Sequence, residues 1–205
     1  MSSVLERTIV NEYGLSRFVL HFQSVAKMDD ERFFGFCQDN RDVRIEQNAK
    51  GEIIIMPPTG WETGDRNAEI NLQLRIWAKK DKRGKTFDSS TGFKLPNGAK
   101  RSPDASWILK ERLGNFSAKQ LQRFLPLCPD FVLELSSPTD SLKDLQEKMD
   151  EYIENGARLG WLLDSKNKRV FIYRPNEEIE VLKHPETISG APVLEGFELD
   201  LREIW

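Results

Sequence analysis

A glutamate stands inside an apolar run that has the character of a buried strand. Glu134 interrupts the segment Phe131-Val132-Leu133, which continues at Leu135. A carboxylate that is buried without a partner is costly, or it takes up a proton and becomes neutral. A strand tolerates such a group when a metal ion or a buried cation compensates its charge. Because a hydrolytic metal site usually draws carboxylates from more than one element, we expect a second acid nearby.

Two Pro-Asp dipeptides offer that second acid, at Asp104 and at Asp130. Asp130 precedes Glu134 by four residues on the same strand, so their Cα atoms would be separated by roughly 13 Å. Two ligands that lie about 2.1 Å from one ion cannot be so far apart. Asp104 belongs to a different strand and can be a neighbour of Glu134. We therefore predict that Asp104 and Glu134 form the pair; the alternatives are a strand-entry role for Asp104 and a structural ion pair for Glu134.

The helix predicted after this strand, over residues 141–156, supplies a positive charge. An apolar stripe runs along it, formed by Leu142, Leu145, Met149, Tyr152 and Ile153. At 100° per residue, Lys148 lies at the edge of the stripe, whereas Lys143 points toward solvent. Lys148 can lay its methylene groups along the core and direct its ammonium group at the sheet, although many lysines flank apolar stripes without any such role.

The preceding helix, predicted over residues 62–80, carries a further acid and ends in a basic run. Glu69 shares a stripe with Glu62 and Asp65, which is also what a solvated acidic face would show. The basic run of residues 79–85 is either a phosphate contact or a solvated helix end that complements the helix dipole, and we favour the second interpretation slightly.

The whole composition is that of a soluble globular domain. The chain has 205 residues, of which 39% are hydrophobic and 31% charged, and its net charge is −3. Such a charge gives no general attraction to nucleic acid, so a polyanion site must be a local patch. We expect no membrane association and a cytoplasmic location, because no apolar segment approaches about 20 residues. Cys37 and Cys128 have no zinc-ligand spacing and are interpreted as buried thiols.

The elements predicted along the chain define the fold class. A short strand at residues 17–22 and a helix at 28–40 are followed by a hairpin at 43–58, the helix at 62–80 and two or three strands within 85–109. The buried strand at 129–136, the helix at 141–156, a second hairpin at 158–175 and short strands complete the order. We predict a mixed α/β (α+β) fold with a central mixed β-sheet flanked by helices.

The motifs around the three candidate residues resemble the Uma-two family of prokaryotic proteins. These motifs are "PDA" at Asp104, "ELSSPTD" at Glu134 and "KMDEYIENGARLGWLLD" around Lys148. The resemblance extends from residue 44 to the C-terminal tryptophan. It implies the restriction-endonuclease-like fold of the PD-(D/E)XK superfamily for residues 41–205, with residues 1–40 as an N-terminal extension packed on that core.

The resemblance also implies a function, which is hydrolysis of phosphodiester bonds in DNA by a Mg²⁺- or Mn²⁺-dependent endonuclease. Asp104 and Glu134 would hold the ion, with the carbonyl of Leu135 as a third ligand, and Glu69 would be a further acid of the site. The superfamily usually has a lysine two residues after the glutamate, where this chain has Ser136. The resemblance therefore implies that Lys148 has taken over the role of that lysine.

Two alternatives to a metal-dependent nuclease remain open. The nuclease fold could be catalytically inactive and serve in nucleic-acid binding or protein assembly, which Ser136 and the net negative charge favour. The two carboxylates could instead hydrolyse a substrate other than nucleic acid, in which case activity would not need a metal ion. A homodimer is compatible with either alternative and with the nuclease.

Overall fold

The computed structural model describes residues 5–11, 14–20 and 28–205. Its helices are α1 (Asp30–Asp39), α2 (Trp61–Asp81), α3 (Lys110–Leu113) and α4 (Leu142–Glu154), with a 3-10 turn at Gln120–Gln122. In chain order the strands are β1 (Leu5–Asn11), β2 (Gly14–Leu20), β3 (Arg44–Gln47), β4 (Ile53–Met56), β5 (Gly84–Asp88), β6 (Phe93–Lys94), β7 (Lys100–Arg101), β8 (Ala105–Leu109), β9 (Phe131–Leu135), β10 (Leu159–Asp164), β11 (Arg169–Tyr173), β12 (Glu180–Lys183), β13 (Thr187–Ser189) and β14 (Glu198–Asp200).

A six-stranded mixed sheet forms the centre of the fold, in the order β12-β11-β10-β9-β8-β5. Its strands β9 and β10 are parallel, whereas the other neighbours are antiparallel. Parallel neighbours need a crossover connection, and α4 is that connection. The predicted central mixed sheet flanked by helices is confirmed.

Both faces of the central sheet are covered, which explains the apolar sequence of β9. On one face, Leu133 belongs to a cluster with Ile70 and Leu74 of α2. On the other face, Val132 packs with Met149 of α4. Because side chains alternate along a strand, the residue that follows Leu133 points to the α4 face.

A second sheet lies beside this core, in the order β1-β2-β4-β3-β7-β6. The predicted hairpin at residues 43–58 is confirmed as β3 and β4, and Gly51 adopts a φ of 83° in its turn. One residue pair, Gln47 with Lys100, joins the hairpin to β7. The face of the hairpin that carries Ile45 and Ile53 packs on α1, where both residues cluster with Phe33.

The N-terminal predictions are tested only in part. The strand predicted at 17–22 corresponds to the end of β2, while residues 21 and 22 lie outside the described residues. The helix predicted at 28–40 is α1. The division of the chain at residue 40 stays a prediction. No helix in the described part of the chain is long and apolar enough to cross a membrane.

Candidate active site

The structure places Asp104 and Glu134 side by side. In the antiparallel pair of β8 and β9, Ala105 faces Leu133, so the preceding aspartate faces the following glutamate. Residues directly opposite each other point to the same face of a sheet. The backbone N–H of Leu135 donates to Oδ2 of Asp104 over 2.9 Å. The two acids are buried, with exposed fractions of 5% and 2%.

Asp130 lies at the other end of β9 and has a structural role. Its carboxylate forms an ion pair with Arg112 at 2.9 Å and accepts a hydrogen bond from the backbone of Leu109 at 3.0 Å. These contacts fix the start of the strand against β8. The strand geometry used in the sequence analysis thus separates the two Pro-Asp dipeptides in the way that was predicted.

Lys148 reaches the acid pair from α4. Its Nζ lies 2.9 Å from Oε1 of Glu134, and the hydroxyl of Tyr152, one turn later, donates to the same oxygen over 3.0 Å. Lys148 is only 9% exposed, whereas the side chain of Lys143 is 83% exposed and pairs with Glu147. The position of each lysine on the helix therefore agrees with the helical-wheel argument.

A third buried acid, Glu46 of β3, completes the cluster and was missed by the sequence analysis. Its Oε1 lies 2.9 Å from Nζ of Lys148 and accepts a hydrogen bond from the backbone N–H of Ser102. Its Oε2 lies 3.1 Å from Arg101, which also pairs with Glu151 at 2.6 Å. Glu46 and Glu134 thus share the ammonium group of Lys148.

Arg44, two residues before Glu46 on the same face of β3, closes the cluster toward solvent. Its Nη1 lies 2.9 Å from Oδ1 of Asp104, and its Nη2 lies 3.5 Å from the sulfur of Met56. The side chain of Arg44 is 33% exposed, while that of Asp104 is 6% exposed. The guanidinium group therefore lies at the mouth of the site, between the buried acids and water.

The two glutamates that share Lys148 have opposite pKa shifts. Burial raises the pKa of Glu134 and the ammonium of Lys148 lowers it, while nearby carboxylates, first that of Asp104, raise it; the pKa is about 7. Burial also raises the pKa of Glu46, but there Lys148 and Arg101 outweigh it and hold the pKa at about 2.

Lys148 itself stays protonated in this arrangement. Burial lowers the pKa of its ammonium group, but the carboxylates of Glu134 and Glu46 more than offset this and raise the pKa above its usual value. Burial, together with the charge of Glu134, also raises the pKa of Tyr152 well above its ordinary value. This arrangement suits Lys148 to supply a positive charge, whereas a base would need a depressed pKa.

Ser136 and Glu69 make their contacts elsewhere. The hydroxyl of Ser136 accepts a hydrogen bond from the backbone N–H of Ser165 at 3.2 Å, which ties the end of β9 to the turn after β10. Glu69 accepts a hydrogen bond from Gln73, whose amide also binds the backbone of Asp200. The contacts of Glu69 thus lead to the C-terminal strand β14 rather than to the acid pair.

The chemistry of the cluster fits a hard divalent cation, although the described residues form no preformed metal cage. Among the residues that the structure describes, no group of three or more His, Cys, Asp or Glu side chains is arranged to hold a metal ion. Carboxylate and carbonyl oxygens are the ligands that Mg²⁺ and Mn²⁺ prefer. Burial and the neighbouring carboxylate of Asp104 raise the pKa of Glu134, and a bound cation would act against both effects. Asp104, Glu134 and the carbonyl of Leu135 could hold such an ion.

Comparison with known proteins points to nucleases. The family model Uma2, described as "Putative restriction endonuclease", matches residues 30–202. A crystal structure from Anabaena variabilis, of "a putative nuclease belonging to DUF820", has 20% sequence identity and a TM-score of 0.67. The likeness covers 78% of this chain and 88% of that chain, and at this identity it concerns the fold alone. No curated protein matches the chain.

Proposed function

This chain belongs to the family described as "Putative restriction endonuclease", and we propose that it is a Mg²⁺- or Mn²⁺-dependent endonuclease that hydrolyses phosphodiester bonds in DNA. One observation supports this most strongly. Two buried carboxylates from adjacent strands, Asp104 and Glu134, lie beside an ammonium group, that of Lys148, which contacts Glu134 at 2.9 Å. Metal-dependent hydrolysis of a phosphodiester uses acids that bind the metal ion, together with a cation near the reacting phosphate.

The residues would divide the work as follows. Asp104 and Glu134 would hold the ion, with the carbonyl of Leu135 as a third ligand. The ion would supply a lowered pKa for its bound water and neutralise charge that develops on the phosphate. Lys148, kept protonated by its two carboxylate neighbours, would orient the attacking water or stabilise the transition state. Glu46, which belongs to the second sheet, would be a positioning residue, because it holds the ammonium group of Lys148.

Glu69 is not part of the proposed metal site, because its carboxylate accepts a hydrogen bond from the side-chain amide of Gln73. Asn71, also on α2, contacts Asp104: its side-chain amide donates to the backbone carbonyl of Asp104 at 3.0 Å. We also propose that the protein works in the cytoplasm, where it would meet a DNA substrate. A homodimer remains a separate proposal, which light scattering of the purified protein tests directly.

Metal binding by the acid pair is tested by thermal denaturation. A ligand that binds only the folded state at ten times its dissociation constant adds about 1.4 kcal/mol, which for this length is roughly 3–5 °C. Wild-type protein stripped with EDTA should show such a shift on addition of Mn²⁺. Asp104→Asn should abolish it. Asp130→Asn, which changes the matched aspartate of the other Pro-Asp dipeptide, should keep it; equal loss in both variants would overturn the assignment.

Nuclease activity itself is tested by nicking of supercoiled plasmid in Mg²⁺ or Mn²⁺. Lys148→Ala should lower the rate about 10²-fold or more, since it removes the charge beside the reacting phosphate. Lys143→Ala, on the exposed side of the same helix, should leave the rate unchanged. Cleavage by Lys148→Ala at the wild-type rate would contradict the role of this lysine.

The second candidate function is a catalytically inactive nuclease fold that binds nucleic acid or takes part in protein assembly. Ser136 at the usual lysine position favours it, as does the ion pair that already occupies Asp104. Wild-type protein that binds DNA but never cleaves it with either ion would support this function over the first.

A further inference from the structure

We propose that Arg44 is an internal cation that takes the place of the metal ion at Asp104 and must leave before the ion can bind, after which its guanidinium group contacts a DNA phosphate. The inference rests on the proposed function, since it presumes that the acid pair binds a divalent ion. It assigns Arg44 two successive partners, first Asp104 and then the substrate.

The position of Arg44 supports the first partner. Its Nη1 is 2.9 Å from Oδ1 of Asp104, while the other oxygen of that carboxylate accepts the N–H of Leu135. Arg44 thus occupies one oxygen of the carboxylate that a divalent ion would need at this site.

Arg44 makes fewer direct ion pairs than Arg101 and is more exposed, which makes its departure feasible. Arg101 is 9% exposed and pairs with two carboxylates, those of Glu46 and Glu151. Within residues 28–205, Arg44 has one carboxylate within 4 Å, that of Asp104, and is 33% exposed. Its other contact is the sulfur of Met56, which is a weak acceptor. Arg101 is fixed in the cluster, whereas Arg44 can turn outward by rotation of its own side chain.

Repulsion between neighbouring cations favours that departure. The cluster comprises four carboxylates, of Asp104, Glu134, Glu46 and Glu151, and three cations, of Arg44, Lys148 and Arg101. A divalent ion bound at Asp104 would lie within a few ångströms of the guanidinium group and share its carboxylate. Two positive groups so close repel each other strongly where water is largely excluded. The ion and Arg44 therefore compete for Asp104.

The second partner follows from where the guanidinium group would go. Arg44 lies at the mouth of the site, so outward rotation brings it to the surface on which a phosphate must arrive. A guanidinium group binds phosphate oxygens through two parallel hydrogen bonds and carries its charge at every working pH. Release of Arg44 would therefore couple occupation of the metal site to DNA binding.

Competition is tested by titrating Mn²⁺ into metal-free protein in a calorimeter. Arg44→Gln should bind Mn²⁺ more tightly than wild type, by roughly tenfold or more, because one positive charge has been removed next to the ion. Arg112→Gln is the matched control, since Arg112 is 36% exposed and pairs at 2.9 Å with the buried Asp130 at the far end of the same strand. Its affinity for Mn²⁺ should equal that of wild type.

The outcomes separate this inference from the proposed function. If wild type and Arg44→Gln bind Mn²⁺ equally well, Arg44 does not compete and the inference fails while the metal site stands. If neither binds Mn²⁺, both fall. Arg44→Lys keeps a positive charge and should bind Mn²⁺ no more than about threefold differently from wild type; should Arg44→Gln not fold, tightening in Arg44→Lys that equals or exceeds tenfold would overturn the inference.

The phosphate contact is tested by fluorescence anisotropy of a labelled DNA duplex in Ca²⁺ and in EDTA. Wild type and Arg112→Gln should bind the duplex more tightly in Ca²⁺ than in EDTA, by roughly fivefold or more. Arg44→Gln should lose most of that gain. A gain of wild-type size in Arg44→Gln would exclude Arg44 as the phosphate ligand.

Discussion

Glu134 and Glu46 are the same residue type and share one ammonium group, yet their neighbours give them opposite properties. Glu134 faces a second carboxylate across β8 and β9, whereas Glu46 has the guanidinium group of Arg101 and the N–H of Ser102. Both side chains are buried, so this difference in neighbours accounts for their pKa values, about 7 for Glu134 and about 2 for Glu46. Removing the charge of Glu134 should therefore stabilise the metal-free protein, whereas removing the charge of Glu46 should destabilise it.

Replacing Glu134 by Gln should stabilise the metal-free protein at alkaline pH. The pKa of Glu134 rises from 4.5 to about 7 on folding, so the folded state holds this proton more tightly than the unfolded state. The stabilisation that results is complete below pH 4.5 and is lost as the pH rises through 7. In urea denaturation with EDTA, Glu134→Gln should equal wild type at pH 5 and exceed it by on the order of 1–3 kcal/mol at pH 8. A loss of several kcal/mol at pH 8 would instead identify a structural ion pair with Lys148.

Replacing Glu46 by Gln should destabilise the protein at neutral pH. Here the pKa falls from 4.5 to about 2 on folding, so the stabilisation is present above pH 4.5 and is lost as the pH falls toward 2. Removing one member of a buried ionic cluster costs roughly 3 kcal/mol. The difference between Glu46→Gln and wild type, measured by urea denaturation, should shrink between pH 5 and pH 3. A difference that does not change with pH would mean that packing rather than charge is lost.

At the scale of the element, strand alternation and the helical wheel are sufficient to predict Glu134 and Lys148. Both patterns are local, and the α4 face of β9 is where the structure brings them together. Glu46 and Arg44 could not be predicted in this way. The alternation in Arg44-Ile45-Glu46 is typical of a strand with one face in water. Only contacts between residues distant in sequence, Arg44 with Asp104 and Glu46 with Lys148, bring that face against the acids.

Two glycines of the central sheet should differ in how well they tolerate a methyl group. A Cβ at Gly84 would lie 2.2 Å from the ring of Trp107, which is fully buried and rigid. A Cβ at Gly160 would lie 2.5 Å from the terminal methyl of Met149, which is flexible. In chemical denaturation, Gly84→Ala should cost about 3 kcal/mol and Gly160→Ala less than about 1.5 kcal/mol. The reverse order would mean that α4 cannot adjust against β10.

At the scale of the whole molecule, the basic run of residues 79–85 and the acid pair lie at opposite ends of the paired strands β5 and β8 in the central sheet. Gly84, at the end of the run, pairs with Leu109, whereas Asp88 pairs with Ala105, next to the acid pair. The five residue steps from Asp104 to Leu109 span roughly 16 Å. Within the run, Arg83 is already bound to Asp81 at 2.6 Å. This placement agrees with the interpretation of the run as a solvated helix end.

The salt dependence of DNA binding should reflect this separation. Each phosphate contact contributes about 0.9 to the slope of log affinity against log salt concentration. Neutralising Lys79 and Lys80 together should leave the slope in Ca²⁺ unchanged, while Arg44→Gln should reduce it by roughly one. Anisotropy titrations over a range of salt concentrations measure both. A decrease of about two in the double lysine variant would restore the run as a phosphate contact.

The crossover helix α4 has a consequence for how such proteins are found. Two parallel strands need a crossover connection whether or not a site is present, and here that connection is α4. An ammonium group carried by α4 therefore requires no extra element, and position 136 becomes available for a serine that ties two strands together. A search pattern that demands lysine two residues after the glutamate passes over this chain. A search that asks instead for an ammonium nitrogen about 3 Å from that glutamate, on any element, would retrieve it.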